Sequence, residues 1–457
     1  MTPYSLLMDF AFMSILLFIA QIMRAKLKIV QRFLLPSSLL AGLMGLLLGH
    51  QFLNVIPFTK FAGSYPYMLV VFLFGSLFIG NKTKISFKKI MNEVGDTFLV
   101  NGAVYFWQYG IALVIGGGIL AVLYPQIPSA FSVLMPGGFI GGHGAAAAFG
   151  GAFNELINWD EALPIGQTFA TIGLVVGVIG GIIYINIATR KKWTRFIATV
   201  KDLPAGMRTG MNPKEEQDSV GVETVNTMSL DSLTWHVMLI LIATCGGYYI
   251  TNYLQSIFTS LSIPMFSVSM LCGVAVQGVI KMLHIEDYVD KKMISHVGSA
   301  ATDFLVAFGI ATIRISVVVK YIVPILILSA IGVLFCTWYL YFVCRKLYHK
   351  YWFERGIFIF GWSTGVVAIG VTLLRIVDPQ YRSKTLEDYG MAYVLLSFIE
   401  IGLIAILPTL IVNGFSMIAG AVCLIIGVVF LVACAKMYGV YQGQDDVLRP
   451  GEESMPF

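Results

Sequence analysis

The sequence predicts an all-α polytopic membrane protein. Of its 457 residues, 57% are apolar. Only 12% are Asp, Glu, Lys or Arg, about half the share in an ordinary soluble domain. Apolar runs long enough for a helix to cross a hydrocarbon core of about 30 Å recur along the whole chain. A soluble chain of this length would divide into roughly two to four domains, each needing a charged coat, and 30 basic plus 25 acidic residues cannot supply it. These observations exclude a secreted disulfide scaffold, a nucleic-acid binder and a cytosolic enzyme, and make the lipid bilayer the first expected partner. The six cysteines stand in or beside apolar runs without a C-x-x-C pair, so they read as small core residues rather than metal or disulfide ligands. The first basic residue, Arg24, follows the first apolar run, so that run is expected to stay as a span and not to be a cleaved leader.

A requirement of about 20 apolar residues per span gives segments near 4–23, 34–50, 66–80, 97–123, 128–151, 164–188, 234–254, 263–283, 294–314, 317–344, 355–375, 391–413 and 415–436. The polar stretch 189–233 carries Arg190, Lys191, Lys192, Arg195 and Lys201, then Pro213-Lys214-Glu215-Glu216, and reads as a cytoplasmic linker. Two segments are poor spans. One holds Pro136-Gly137-Gly138-Phe139-Ile140-Gly141-Gly142-His143-Gly144, the other Gly361-Trp362-Ser363-Thr364-Gly365. Glycine clusters break helices, and broken backbone at membrane depth is tolerated only within protein or a wet cavity. Both are expected to be re-entrant hairpins.

The charge distribution supports that expectation. If both segments return to the side they entered and the N-terminus lies outside, 27 of the 30 basic residues fall in inner loops, leaving Lys60, Arg314 and Lys320 outside. If both span, the split is 15 to 15. Basic residues favour the cytoplasmic side, so eleven spanning helices and two hairpins are expected. The two halves also echo each other. Pro36 and Gly45 are spaced like Pro264 and Gly273, and Phe74-Gly75 matches Phe308-Gly309. This predicts an inverted repeat of five spanning helices plus one re-entrant hairpin each. The first repeat covers 1–188 (hairpin 128–151), and 189–233 is a cytoplasmic linker between the repeats. The second repeat covers 234–413 (hairpin 355–375), and 414–457 is one extra C-terminal helix and a tail. Inverted repeats with broken elements meeting near the midplane mark secondary transporters.

Several stretches resemble the bacterial sodium/glutamate symporter family. Gly141 to Phe149 is similar to its first hairpin and Thr168 to Gly177 to the helix that follows. Leu35-Pro36 with Leu40 to Leu43 resembles its second helix. Asp303 to Ala307 and Gly361 to Gly365 resemble its eighth helix and second hairpin. The resemblance spans about 5–188 and 234–413. It implies a homodimer in the bacterial inner membrane that imports glutamate or a related anionic carboxylate with sodium, a moving core sliding against a static scaffold. The chain departs from the family pattern in three places. Ala145-Ala146 stands where the family has Thr-Gly, and Val366 to Ile369 where it has Ala-Thr-Pro-Thr. Ala405 and Pro408 replace an Asp and Asn one turn apart, with Glu400 five residues before. These departures leave open a different organic anion or amino acid, coupled to protons or uncoupled, and also a channel or receptor-like protein on the same scaffold.

Unwound backbone and hydroxyls suit sodium, and helix N-termini suit a substrate carboxylate. Expected substrate residues are Gly142, His143, Gly144, Thr171, Gly361, Ser363, Thr364 and Gly365. Expected ion-coupling residues are Gly141, Thr168, Asp303 and Glu400. Against this stands plain packing of small residues, which is the preferred reading for Gly173, Gly177 and Gly181. His143 reads equally as a satisfied core histidine. Arg314, Lys320 and Arg375 read as interfacial anchors before they read as anion attractors or as a partner for Glu400. No catalytic residue and no cofactor beyond a coupling sodium are expected. Gly361 to Gly365 fits G-x-S-x-G, and Gly142 to Ala147 fits G-x-G-x-x-A, but each motif needs a preceding strand that the sequence does not offer.

Overall fold

The computed structural model describes residues 3–33, 35–81, 87–196, 206, 209–257, 265–378 and 381–440. Pro264, Lys82, Lys84, Lys201, Arg449 and the tail beyond 440 lie outside the described residues. Every regular element among the described residues is a helix, and ten of these helices are long and apolar enough to cross a membrane.

The first half runs through α1 (Pro3–Lys26), α2 (Ser37–Leu48), α3 (Tyr65–Ser76) and α4 (Phe87–Ile111). It continues through α5 (Leu134–Phe139), α6 (Gly142–Ile157) and α7 (Ala162–Arg190). The second half comprises α8 (Ser232–Ile257), α9 (Met265–Met282), α10 (Lys291–Ala311) and α11 (Ile322–Trp338). After these come α12 (Trp352–Val377), α13 (Thr385–Val412) and α14 (Ser416–Tyr438). Both α4 and α11 pass into a π-helical stretch, Ala112–Gly116 and Tyr339–Cys344, before resuming α geometry. The segments read near 34–50 and 66–80 appear as α2 and α3, of 12 residues each. At 1.5 Å per residue each is about 18 Å long.

Local signals set the boundaries. Asp290 caps α10 by accepting the Lys292 N–H at 2.8 Å, satisfying one of the orphan donors of the first turn. Pro66 sits in the first turn of α3, where its missing N–H costs nothing. Asn158, at φ +54°, closes α6, a left-handed residue that Asn tolerates.

The buried apolar residues form one large core and two small ones. The large core joins α4 to α7 with α11 to α14 and takes in Leu39 of α2, Val70 and Phe74 of α3, Phe266 of α9 and Leu305 of α10. One small core joins α1, α2 and α10, and the other joins α8 to the ends of α9 and α10. Glycines seat the crossings. A Cβ on Gly45 of α2 would lie 2.7 Å from Ala311 Cβ of α10, and one on Gly273 of α9 would strike the Gly75 carbonyl of α3. The C-terminal α14 lies along α4, where Trp107 donates its indole N–H to the Leu424 carbonyl at 3.0 Å.

The chain doubles back twice. Gly137 and Phe149 are twelve residues apart, about 18 Å along a straight helix, yet a Cβ on Gly137 would lie 2.6 Å from the Phe149 ring. The first bend lies between α5 and α6, with Gly142 at φ +62°. In α12, a Cβ on Gly361 would lie 2.8 Å from Gly370 Cα, and one on Gly370 would lie 2.6 Å from the Phe358 carbonyl. The second bend is at Gly365–Val366, where φ and ψ leave helical values.

Candidate functional site

The two bends touch. A Cβ on Gly142 would collide with Val366 Cγ1. Each bend ends one helical limb and starts another, so two helix N-termini meet at this point: that of α6, and that of the second limb of α12. Their free N–H groups and aligned dipoles favour an anion.

Polar side chains hold both bends. Gln167 of α7, fully buried, donates to the His143 carbonyl at 3.1 Å. His143 Nε2 lies 3.3 Å from the Thr171 hydroxyl, which donates to the Gln167 carbonyl at 2.9 Å. Gln108 of α4, also fully buried, donates to the Ser363 carbonyl at 2.8 Å. The amide oxygens of Gln108 and Gln167 have no partner among the described residues. An unpaired buried acceptor costs about 1–3 kcal/mol, so each glutamine holds a bend with spare hydrogen-bonding capacity.

The structure brings Gly141, Gly142, His143, Gly144 and Thr171 to the first bend, with Gly141, Gly144 and Thr171 half-exposed. Thr168, on the same face of α7, turns its hydroxyl to the Pro164 carbonyl at 2.7 Å. Ser363, Thr364 and Gly365 lie at the second bend. Both hydroxyls are fully buried and donate to the Phe360 carbonyl, Ser363 at 3.3 Å and Thr364 at 2.7 Å. Gly361 lies one turn back, where the limbs cross. Gly173, Gly177 and Gly181 seat α12 on α7, meeting Thr364, Thr364 with Ile369, and Leu373. Asp303 is set apart on the exposed face of α10, beside Ser38 at the start of α2.

Glu400 belongs to a second cluster that the sequence reading missed. Asn101, Tyr105, Gln108 and Tyr109 line one face of α4 at helical spacing. The rings of Tyr105 and Tyr109 lie 5.3 Å apart, and Trp362 stacks 6.4 Å from Tyr105. On α13, Tyr389 packs 5.4 Å from Trp362 and stacks 5.3 Å from Tyr393. Tyr393 donates to Glu400 Oε2 at 3.1 Å. The available signal was the recurrence of Asn, Tyr, Gln and Tyr at i, i+4, i+7 and i+8 inside an apolar run.

The basic residues weighed as attractors are paired. Arg314 donates to the Asp160 carboxylate at 2.8 Å and to the Asp160 carbonyl at 2.6 Å. Lys320 and Tyr321 donate to Glu161 at 2.9 and 2.7 Å. Burial opposes ionisation of Glu161, but these donors outweigh it and hold the carboxyl below the usual range. Arg375 donates to the Tyr381 hydroxyl and lies over its ring. Arg355, counted with the loop charges, is instead buried. It pairs with Asp388 at 2.5 Å and donates to Thr97 at 2.9 Å. The linker docks at both ends. Arg195 N–H donates to Glu354 at 2.7 Å, and Val222 N–H to Asp290 at 2.9 Å. A groove of about 400 Å³ on α8, lined by Thr234, Met238, Leu241 and Cys245, adds no polar group to these clusters.

Ten apolar helices around a core with broken, polar bends define a multi-pass helical membrane protein. The sequence profile of the sodium/glutamate symporter family matches residues 4–353, and the chain belongs to that family. The matched stretch covers the first bend and ends just inside α12, before the second. Compared with curated proteins, the chain finds no match.

Proposed function

We propose that the protein is a sodium-coupled importer of glutamate or a related carboxylate, working by alternating access in the bacterial cell membrane. The observation that carries this reading is the meeting of two helix N-termini at Gly142 and Val366. Two dipole ends aimed at one point suit a carboxylate. Gly142, His143, Gly144 and Thr171 are its contacts on the first bend, and Gly365 with its neighbours supplies the second. Sodium takes carbonyl oxygens at the ends of the first limbs.

In this reading the two doubled-back stretches are re-entrant hairpins from opposite faces, and 1–188 and 234–413 are inverted repeats. Support comes from the matched glycine-seated crossings of α2 on α10 and of α9 on α3. The π-helical stretch shared by α4 and α11 adds to it. One set of helices is then a scaffold, dimeric as in the family expectation, against which the unit carrying the two bends slides. Coupling requires that sodium raise substrate affinity, which is a reciprocal effect.

A second reading is favoured by the apolar second bend, Val366-Val367-Ala368: a smaller or less polar carboxylate, coupled to protons. Uptake of labelled glutamate into proteoliposomes, with and without an inward sodium gradient, separates the two. Sodium-driven accumulation supports the first. Uptake driven only by a proton gradient, or competition only by other carboxylates, moves the assignment to the second.

A further inference from the structure

We infer that the tyrosine cluster between α4, α12 and α13 is a binding site for a compact monovalent cation, held by Glu400 and the hydroxyls of Tyr105, Tyr109 and Tyr389. The site is separate from the meeting point of the bends. It deepens the reading of a cation-coupled carrier and rests on that reading only for its purpose.

Four observations carry it. First, Glu400 sits in the middle of the 28-residue α13, where a carboxylate is costly and seeks a partner. Its hydrogen bond is from Tyr393, on its own helix. Among the described residues it forms no ion pair. Second, the hydroxyls of Tyr105, Tyr109 and Tyr389 are buried, and none makes a hydrogen bond of acceptable geometry. The rings of Tyr105 and Tyr109 lie 5.3 Å apart. Three such phenols in one cluster is a concentration of unused oxygen that native interiors avoid. Third, the rings form one chain that reaches the carboxylate: Trp362 lies against both Tyr105 and Tyr389, and Tyr389 stacks 5.3 Å from Tyr393, the donor to Glu400. Fourth, Trp362 ties the cluster to the second bend. It lies against Tyr105 and Tyr389, and Ser363, the next residue, is the one whose carbonyl Gln108 holds.

One negative charge with neutral oxygens around it selects a single positive charge. A divalent ion would leave a net charge in an apolar span. Hard oxygen ligands suit a small metal ion. The same oxygens, with aromatic faces beside them, also suit a primary ammonium group. The shared chemistry is a compact monovalent cation, and sodium and methylammonium are the probes that separate the two sources.

The experiment is a thermal-stability titration of the purified full-length protein at fixed pH, with sodium chloride or methylammonium chloride replacing choline chloride at constant ionic strength. Wild type, Glu400→Gln, Thr171→Val and the triple change Tyr105→Phe, Tyr109→Phe, Tyr389→Phe are compared. A ligand that binds only the native state raises the melting temperature, and a shift of roughly 2–4 °C corresponds to a modest excess over its dissociation constant. The expected result is a rise in wild type and Thr171→Val that is markedly smaller in Glu400→Gln and in the triple variant, the remainder with sodium coming from the ion held at the bends. A rise with sodium alone marks a metal ion, and a rise with methylammonium alone marks an ammonium pocket. If the triple variant does not fold, Glu400→Gln decides, with Trp362→Phe testing whether a cation-dependent change in fluorescence comes from this cluster. No rise with either probe in wild type overturns the proposal, because Glu400 is then carried protonated. So does a rise that is undiminished in Glu400→Gln. The difference between wild type and Glu400→Gln reports this cluster alone, and the uptake assay reports the carrier, so a failed cation site and a failed carrier are read separately.

Discussion

The two bends reach the same place by different means. The first turns through Gly142 at φ +62°, where a residue without a Cβ is at ease. The second turns through Val366 at φ +66° and ψ +169°, a region essentially reserved for glycine. The first bend is surrounded by His143, Thr171 and Gln167, the second by Val367, Ala368 and buried hydroxyls turned onto their own helix. The limbs differ too. At the first bend a glycine faces a phenylalanine ring; at the second a glycine faces another glycine's backbone. One bend is relaxed and polar. The other is strained, apolar and tightly crossed, so the surrounding packing must determine its shape.

The limb crossings give the largest expected effect. In Gly361→Ala the new Cβ would stand 2.8 Å from the backbone of Gly370, which cannot yield without opening the pair. In Gly137→Ala it would stand 2.6 Å from a ring carbon of Phe149, which can swing. Overpacking costs typically 1–3 kcal/mol. We expect about 3 kcal/mol for Gly361→Ala and about 1 kcal/mol for Gly137→Ala. Thermal melting of the purified variants, with the yield of monodisperse protein, measures both. Equal losses would break the contrast between a rigid and a yielding crossing.

The strain comes next, with the opposite sign. A β-branched residue at positive φ stores about 1–3 kcal/mol, against which the extra freedom of glycine in the unfolded chain costs about 0.5–1 kcal/mol. Val366→Gly is therefore expected to stabilise the protein by about 1 kcal/mol, a rise in melting temperature of roughly 2–4 °C. A fall would mean that the packing of Val366 Cγ1 on Gly142 outweighs the strain.

What the sequence made legible follows the same division. Helix positions were readable because a bilayer forces long apolar runs, and each expected segment has its helix, although α2 and α3 are short. Both bends were readable because glycine clusters stand where a membrane helix tolerates none without cause. The side chains that hold the bends were not. Gln108 and Gln167 look like stray polar residues in apolar runs, and only the fold aims them at the Ser363 and His143 carbonyls. Ser363 and Thr364 look like ligands, but a helical hydroxyl can bond the carbonyl one turn back, and here both do. Arg355 looked like one more loop charge because charge counting cannot distinguish an anchor from a buried pair.

The contrast extends to the bases of the two folded-back stretches and supplies the smallest expected effect. Arg355, near the start of α12, is tied to Asp388 and Thr97 inside the protein. The turn that follows α6 is tied at its surface by Asp160 to Arg314 and by Glu161 to Lys320 and Tyr321. Exposed pairs contribute little, so the effect of acid on the first base is expected to be small. Glu161 has its folded pKa below the unfolded value because its donors outweigh burial. Its contribution is therefore fully present above the unfolded value, about 4.3, and is lost as pH falls through the folded one. Between pH 7 and 5 the melting temperatures of wild type and Glu161→Gln should run parallel. Below about pH 4.3 the wild type should fall more steeply, and the two curves should converge once Glu161 is protonated. Curves that stay parallel throughout would show that Lys320 and Tyr321 do not hold this base, and that packing of α6 on α7 alone fixes the relaxed bend.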